Sequence, residues 1–594
     1  MAAIANPPRW TRPAARWVLP ETPEAAVEQL RGGLGLQRLP AAVLVHRGFA
    51  EPSAAQEFLF PELKALHDPF LLRDMDGAVA RLQLAIANRE KVLLYGDYDV
   101  DGTSSIVILK KALEILGGVA EFHIPHRLKE GYGMRTEAIE RAAELGVHLI
   151  VSVDTGIRAQ TVIAHARQLG IDVIVTDHHL PEAELPAALA VLNPNRPDCA
   201  YPNKHLCGAG VTFKLVQALL QRSTLAQARQ NALLDSFLKP VAIATVADIV
   251  PLVDENRVLV RRGLSGLSNV RNIGLRALLS VAGFDDGETP TAHQVAFRIA
   301  PRINAAGRMA SARDVVEIFL TEDPARAREL AGKLDALNRE RQQTETEIVE
   351  AILRQCEECD FDYSAPAMVF AGTAWHLGVL GIVASRLVER FSRPVFVLSD
   401  SATEADGEDA YLSGSGRSIP GFHLLEALET MPELFRKFGG HRQAAGLTLR
   451  ADQLADFRAR FAACAGERLS EDDLRPSFCV DAEAAFNELT ELCVQQVMSL
   501  GPFGFGNPAP LFLARACEIA GPVKALGSGK HFSVPLRHSG RLLFCKAWNF
   551  AERAECLDAG AKFDVLFQLE DDPMGRKRGY GSWCISLKDV RRCD

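Results

Sequence analysis

The sequence predicts an α/β protein in which a parallel-sheet domain is joined by a long helix to a smaller α/β domain, with a small β-barrel at the C-terminal end. Three observations predict it. Between residues 91 and about 250, short β-branched runs alternate with helical stretches, the pattern of a parallel sheet covered on both faces. Over 324–358, apolar residues at Leu330, Leu334, Leu337, Ile348 and Ile352 stand in a charged background, which suits one long helix bridging two domains. From about residue 476 the pattern changes to short strands separated by turn residues, as in a barrel.

In order along the chain, residues 1–85 read as an N-terminal region, with Trp10 and Trp17 among prolines and helical patches over 54–60 and 75–87. Residues 86–323 hold the parallel-sheet domain. Its strands are 92–95, 149–153 and 173–176, its helices 103–116, 137–145 and 160–169, and a helical region follows to about Arg313. The connecting helix occupies 324–360. The second α/β domain, 361–470, has strands at 367–371 and 394–399 around a helix at 380–390, and ends near the glycine-rich run Gly439-Gly440-His441. In the C-terminal domain, 476–594, strands are expected at 530–536, 542–548, 563–569 and 583–587.

Composition narrows the function classes. A chain of 594 residues has room for roughly three to five domains of about 100–200 residues. With 48% hydrophobic and 24% charged residues it has the balance of an ordinary soluble protein. Its apolar runs fall far short of the ~18 residues of a membrane span. The first 20 residues carry Arg9, Arg12 and Arg16 without an apolar core, so no membrane segment or secretory signal is expected, and the cytoplasm is the expected compartment. The 12 cysteines form no compact framework and fit reduced thiols. Cys356 and Cys359 form a C-x-x-C with no second pair to complete a tetrahedral zinc site. The net charge of −9 excludes a globally basic nucleic-acid binder. It leaves room for a local one: residues 521–594 hold 13 Lys plus Arg against 9 Asp plus Glu, +4 where the rest is −13.

Three predicted strands run directly into ligand-type residues. The first leads into Gly96-Asp97-Tyr98-Asp99-Val100-Asp101-Gly102, the second into Asp154-Thr155-Gly156, and the third into Asp177-His178-His179. Open α/β sheets carry their sites beyond the carboxyl ends of the strands. With Asp248 these residues make a set of carboxylates and imidazoles without cysteine, which suits Mn²⁺ or Mg²⁺ better than zinc or copper. Two such ions about 3.5–4 Å apart, bridged by a shared carboxylate, catalyse phosphodiester or phosphoanhydride hydrolysis. Each piece has a plainer reading. An Asp after a strand is usually a helix cap or turn residue, and Asp101 before Gly102 fits that. A vicinal His pair alone is more often core or surface. Three strand ends carrying such groups together favour a metal site.

These residues carry a resemblance. Thr176-Asp177-His178-His179 and the Gly96–Gly102 run resemble signatures of the DHH phosphoesterase superfamily, and Gly439-Gly440-His441 that of its associated domain. The match narrows with 297–309 (Phe-Arg-Ile-Ala-Pro-Arg-Ile-Asn-Ala-Ala-Gly-Arg-Met), with 375–387 beginning Trp375-His376-Leu377-Gly378, and with Pro502-Phe503-Gly504-Phe505-Gly506-Asn507-Pro508. From about residue 66 onward the chain is similar to the RecJ family of bacterial exonucleases specific for single-stranded DNA. The resemblance implies a DHH domain, a DHH-associated domain and an OB-like barrel. It also implies 5′-to-3′ hydrolysis of single-stranded DNA to 5′-mononucleotides, in DNA repair and recombination, with two Mn²⁺ or Mg²⁺ ions.

Carried over by position, the resemblance makes Asp97, Asp99, Asp154, His178 and Asp248 metal ligands, with Asp154 as the bridge. His179 faces the scissile phosphate as acid or charge stabiliser. Tyr95 stands where many family members have His, so the first metal lacks a ligand or takes water instead. DNA contacts are expected from Arg127, Tyr132, Arg302, Asn304, Ser415, Arg417 and His441, with Arg127, Ser415 and Arg417 around a terminal 5′-phosphate. The implied partners are single-stranded DNA, single-stranded-DNA-binding protein and a DNA helicase, with no membrane. A DHH phosphoesterase for short substrates and a non-catalytic scaffold are the two competing classes. The added barrel argues against the first, and the retained ligands against the second.

Overall fold

The computed structural model describes residues 13–593 apart from 128–129, 132, 360, 401–409, 528, 551–556, 573–574, 577–578 and 580. Trp10 and Tyr132 therefore lie outside the described residues. The chain forms two units, one of Gln56–Arg339 with Ser499–Ala509, the other of Met1–Ala55, Glu340–Met498 and Pro510–Asp594. The N-terminal region expected over 1–85 thus divides after Ala55. The other division falls inside the 35-residue helix Pro324–Glu358, which has the limits its apolar spacing predicts.

The first unit is organised by a five-stranded parallel sheet of β1 (Lys91–Gly96), β2 (Val119–His123), β3 (Leu149–Val153), β4 (Asp172–Thr176) and β5 (Ala190–Leu192), in the order β2-β1-β3-β4-β5. The central strands are unbroken apolar runs because both faces are covered. Val92, Leu94, Leu149, Val151 and Ile174 enter one core, while Leu93, Tyr95, Ile150, Val173 and Val175 enter the other. Helices α1 (Val100–Ile115), α2 (Gly208–Gln221) and α3 (Gln227–Ala247) contribute to the first core. Thr136–Glu144 and Gln160–Gln168 supply Ile139 and Ile163 to the second. The edge strands β2 and β5 escaped the sequence reading: one mixes exposed and buried positions and the other is three residues long. Register places the site. Gly96 pairs with Val153 and Val153 with Thr176, so the next residues, Asp97, Asp154 and Asp177, leave the sheet at one level.

The second unit contains a mixed sheet of β6 (Met368–Gly372), β7 (Val395–Ser399), β8 (Tyr411–Arg417), β9 (Phe435–Gly440) and β10 (Ala444–Arg450), ordered β9-β10-β8-β7-β6. Only β6 and β7 are parallel, joined through the helix Leu377–Phe391. Its antiparallel half was not expected, because Ser413-Gly414-Ser415-Gly416 lacks the apolar signature of a strand. Pairing of β8 with β10 sets Arg417 against Ala444 and Ser415 against Gly446, next to the hairpin turn that carries His441.

The barrel consists of β11 (Phe512–Ile519), β12 (His531–His538), β13 (Arg541–Ala547), β14 (Lys562–Asp571) and β15 (Trp583–Arg592). They run in the order β11-β14-β15-β13-β12, and Ile519 opposite Leu536 closes the ring. Closure leaves the main strands no open edge. The N-terminal segment is fastened to this part of the chain. Arg16–Val18 pairs with Ser477–Cys479, Trp17 Nε1 donates to Asp589 at 2.8 Å, and Arg38 and Arg47 pair with Glu488 and Asp481 at 2.6 and 3.3 Å.

Candidate metal centre

Each expected ligand is delivered by the end of a regular element. Asp97 follows β1. Asp99 is the N-cap of α1, where one carboxylate oxygen accepts the N–H groups of Asp101 and Gly102 at 2.9 and 3.0 Å. Asp154 follows β3 in the left-handed conformation, φ 59°, pinned by its N–H to the Thr176 carbonyl at 2.9 Å. Asp248 ends α3, its N–H bonded to the Ala244 carbonyl. The structure brings these groups together in three overlapping sets whose ligand atoms lie within 4.8 Å: Asp97, Asp99 and Asp154; Asp154, His178 and His179; Asp101, His178 and Asp248. His178 Nε2 is 3.3 Å from Asp154 and 3.6 Å from Asp248.

The donor set fits two divalent cations. Asp97 Oδ1, Asp154 Oδ1 and His178 Nε2 are buried without a hydrogen-bond partner, which the fold tolerates poorly unless a ligand satisfies them. Burial, followed by the charge of Asp99, pushes the Asp97 carboxyl well above the usual range. Burial and the neighbouring Asp101, Asp99, Asp248 and Asp97 charges do the same to Asp154. Burial and the Asp101 and Asp99 charges raise Asp248 too. Crowded carboxylates of this kind are held ionised by cations.

Behind the ligands lies a set of groups that position them. Asp177 holds the two histidines: its Oδ1 accepts the N–H groups of His178 and His179 and bonds His179 Nδ1, all at 2.7–3.1 Å, while Oδ2 accepts the Ile157 N–H at 3.0 Å. Burial alone would depress His179, but the Asp177 hydrogen bond and charge outweigh it and raise its pKa. Asp101 is more than a turn residue. Its two oxygens accept the Gly208 and Ala209 N–H groups that open α2, at 2.5 and 2.7 Å, so it caps a helix 107 residues away. Asn304 Oδ1 accepts the Val100 N–H at 3.1 Å and steadies the start of α1.

The Asp177 contacts give an expected result. Asp177→Asn leaves one acceptor oxygen for groups that now use two, and removes the charge that holds the His179 proton. The His179 imidazolium should then lose its proton at lower pH, as titration of the ring followed by NMR would show. An imidazole titration unmoved by the substitution would refute this role.

The remaining expected residues divide. Tyr95 is fully buried, its hydroxyl donates to the Gly133 carbonyl at 3.3 Å, and its ring packs against His123; burial raises its pKa. It serves the core. Arg127 lies over the Tyr98 ring, 4.9 Å from the centroid, and its charge partly offsets the rise at Asp97. Arg302 was expected at the substrate. From α4 (Ala300–Met309), its guanidinium pairs with Asp335 at 2.9 Å and donates to the Val281 and Arg298 carbonyls. Arg417 donates to the Gly416 carbonyl at 2.8 Å and lies against Gly381, where a β-carbon would meet its guanidinium at 2.8 Å. Ser415 is half-buried on the same strand, and His441 is exposed.

Comparison with known proteins covers nearly the whole chain. Residues 91–245 match the DHH family, N-terminal domain, 364–467 the DHHA1 domain, and 480–578 the RecJ OB domain. The single-stranded-DNA-specific exonuclease RecJ of Bacillus subtilis is 37% identical over 555 residues, 93% of this chain and 68% of that protein. The protein of the same name from Dickeya dadantii is 40% identical over 495 residues, 80% of this chain and 84% of its own. The crystal structure of RecJ from Thermus thermophilus in complex with Mn²⁺ superposes with a TM-score of 0.82 at 30% identity, covering 98% of this chain and 80% of that one.

Proposed function

Because the chain belongs to the RecJ family of single-stranded-DNA-specific exonucleases, we propose that it removes nucleotides from the 5′ end of single-stranded DNA, releasing 5′-mononucleotides in DNA repair and recombination. It is an exonuclease of the DHH phosphoesterase type and works with Mn²⁺ or Mg²⁺. The observation that carries the reading is the convergence of Asp97, Asp99, Asp154, His178 and Asp248, with buried donor atoms unpartnered, at the carboxyl ends of the sheet.

Two ions held by those five residues, with Asp154 shared, would neutralise the phosphate and lower the pKa of the attacking water. The chain's own groups do the rest. The water oxygen bonds to phosphorus as the P–O3′ bond of the terminal nucleotide breaks. His179, held by Asp177, donates a proton to the departing O3′, while the water's proton passes to solvent. Arg127 places positive charge beside the phosphates. Ser415 and Arg417 hold the terminal 5′-phosphate, His441 contacts the strand, and Asn304 acts through the α1 loop it steadies. Tyr132 would stack a base.

Digestion of end-labelled single- and double-stranded DNA with Mn²⁺ and with chelator tests the reading. Mononucleotides should come first from the 5′ label of the single strand, and chelator should stop the reaction; release from the 3′ label first would overturn the polarity. For the pocket, strands ending in a 5′-phosphate should be digested with higher kcat/KM than strands ending in a 5′-hydroxyl. Arg417→Ala should shrink that advantage by about tenfold or more, since a charge-assisted bond contributes ~1.5–3 kcal/mol. An unchanged ratio would remove Arg417 from the pocket.

The single strand is also the shared ligand of single-stranded-DNA-binding protein and of a DNA helicase, which we take as the protein partners. The cytoplasm is the proposed compartment. The cysteines among the described residues are free thiols, which suits a reducing environment. No helix among the described residues is long and apolar enough to cross a membrane.

A further inference from the structure

Between the helix Glu491–Ser499 and β11 the chain returns to the first unit through Ser499–Ala509, the motif-bearing loop to which the chemistry above gives no part. The loop is fastened by its backbone. The Phe505 carbonyl accepts the Leu252 N–H at 2.7 Å, the Gly501 carbonyl accepts Arg257 Nη2 at 2.9 Å, and the Ser499 carbonyl accepts Arg261 Nη1 at 3.2 Å. Asn507, 1% exposed, folds the loop on itself through the Leu500 and Pro502 carbonyls at 3.0 and 2.8 Å. Close approach depends on glycine: a β-carbon on Gly504 would stand 2.7 Å from Leu252 Cδ1, and one on Gly506, at φ 75°, 2.9 Å from Pro251 Cβ.

These contacts account for the backbone of the loop and leave the Phe505 ring outside them. That ring is 60% exposed, between two glycines whose backbones lie on Pro251 and Leu252. Two residues before Pro251 in the chain, directly after the ligand Asp248, Ile249 is 68% exposed and held at φ 57°, a conformation rare for a β-branched residue. Two large apolar side chains are thus kept in water, where burial would be favourable: Ile249 next to Asp248, and Phe505 on a loop that packs on Pro251 and Leu252. A nucleobase is the occupant that fits. Its face stacks on an aromatic ring whatever its sequence, and it is available for stacking in a single strand but not inside a duplex.

We propose that Phe505, with Ile249 beside it, is a stacking platform that holds one nucleobase of the single strand next to Asp248. A loop from the C-terminal part of the chain thereby contributes to the preference for single strands at the metal site. The proposal rests on the exonuclease reading above.

The test uses the full-length enzyme and 5′-phosphorylated oligonucleotides made abasic at one position at a time. In the wild type, one position near the scissile bond should lower kcat/KM by about tenfold when its base is removed, the size expected for one stacked base. Phe505→Ala should lower kcat/KM on the intact strand by a similar factor and make that position alone insensitive to base loss. Phe505→Trp should keep the dependence. The half-saturating Mn²⁺ concentration should match wild type in both variants, which distinguishes a lost platform from a displaced Asp248. A wild-type abasic profile in Phe505→Ala would overturn the proposal, as would an equal loss on every substrate, the result for a loop that only positions Asp248. Failure of the wild type to digest any intact single strand would instead strike the exonuclease reading itself.

Discussion

Asp154→Ala should abolish hydrolysis while leaving binding of single-stranded DNA largely intact. Asp154 is buried and belongs to two of the three candidate ligand sets, so in the proposed arrangement its loss would affect both cation positions at once. Affinity for the strand is distributed over many phosphate and base contacts, none of which this side chain makes in the proposed arrangement. A fall in kcat of at least a hundredfold is expected, equivalent to ~2.7 kcal/mol of transition-state stabilisation. Single-turnover digestion in saturating Mn²⁺, alongside fluorescence-anisotropy binding to the same oligonucleotide, separates the two effects. More than about a hundredth of wild-type turnover would mean that Asp154 is not the shared ligand.

Gly208→Ala should be a strongly damaging single-methyl change beside Asp154. Gly208 opens α2 with its N–H on Asp101, and an added β-carbon would lie 2.6 Å from Asp154 Cβ and 2.7 Å from its Oδ1. Either Asp154 moves or α2 withdraws and breaks both bonds to the buried Asp101. Overpacking of this kind costs ~1–3 kcal/mol, and an unpaired buried carboxylate adds to it. The half-saturating Mn²⁺ concentration should rise by about tenfold, since ~1.4 kcal/mol of lost ligand geometry is a factor of ten in binding. Gly210→Ala, two residues along the same helix, is the control. Its added methyl meets the flexible end of Leu206 at 3.1 Å, so metal dependence should hardly change. Equal Mn²⁺ dependence in Gly208→Ala and wild type, measured by calorimetric titration and by rate, would show that α2 gives way without disturbing Asp154.

That the expected ligands come together was legible because parallel strands deliver side chains at fixed positions. Once 92–95, 149–153 and 173–176 read as buried strands, the residues after them had to share an edge, and the register confirms that geometry. What escaped was whatever depends on contacts distant in sequence. Asp101 has the local signature of a turn, and only the folded chain shows its carboxylate capping α2. Asp177 was visible as part of a motif, but its work in orienting His179 rests on four short hydrogen bonds. The bonds of Arg302 to Asp335 and two carbonyls likewise show only in the folded chain. The strand β8 was hidden by glycines and serines that pack by having little side chain. The N-terminal region read as one piece because no composition change marks the point near Ala55 where it passes from one unit to the other.

The return of Ser499–Ala509 to the first unit also sets an order of events during synthesis. A ribosome completes the parallel sheet and its ligands by Arg339, but the segment that packs on Pro251 and Leu252 is not yet made. About 160 further residues must be added, which at ~5–20 residues per second takes roughly 8–32 s. Throughout that interval the edge beside Asp248 lacks its last piece. A chain stopped before Ser499 would therefore carry Asp97, Asp99, Asp154, His178 and Asp248 without the loop that packs on Pro251 and Leu252.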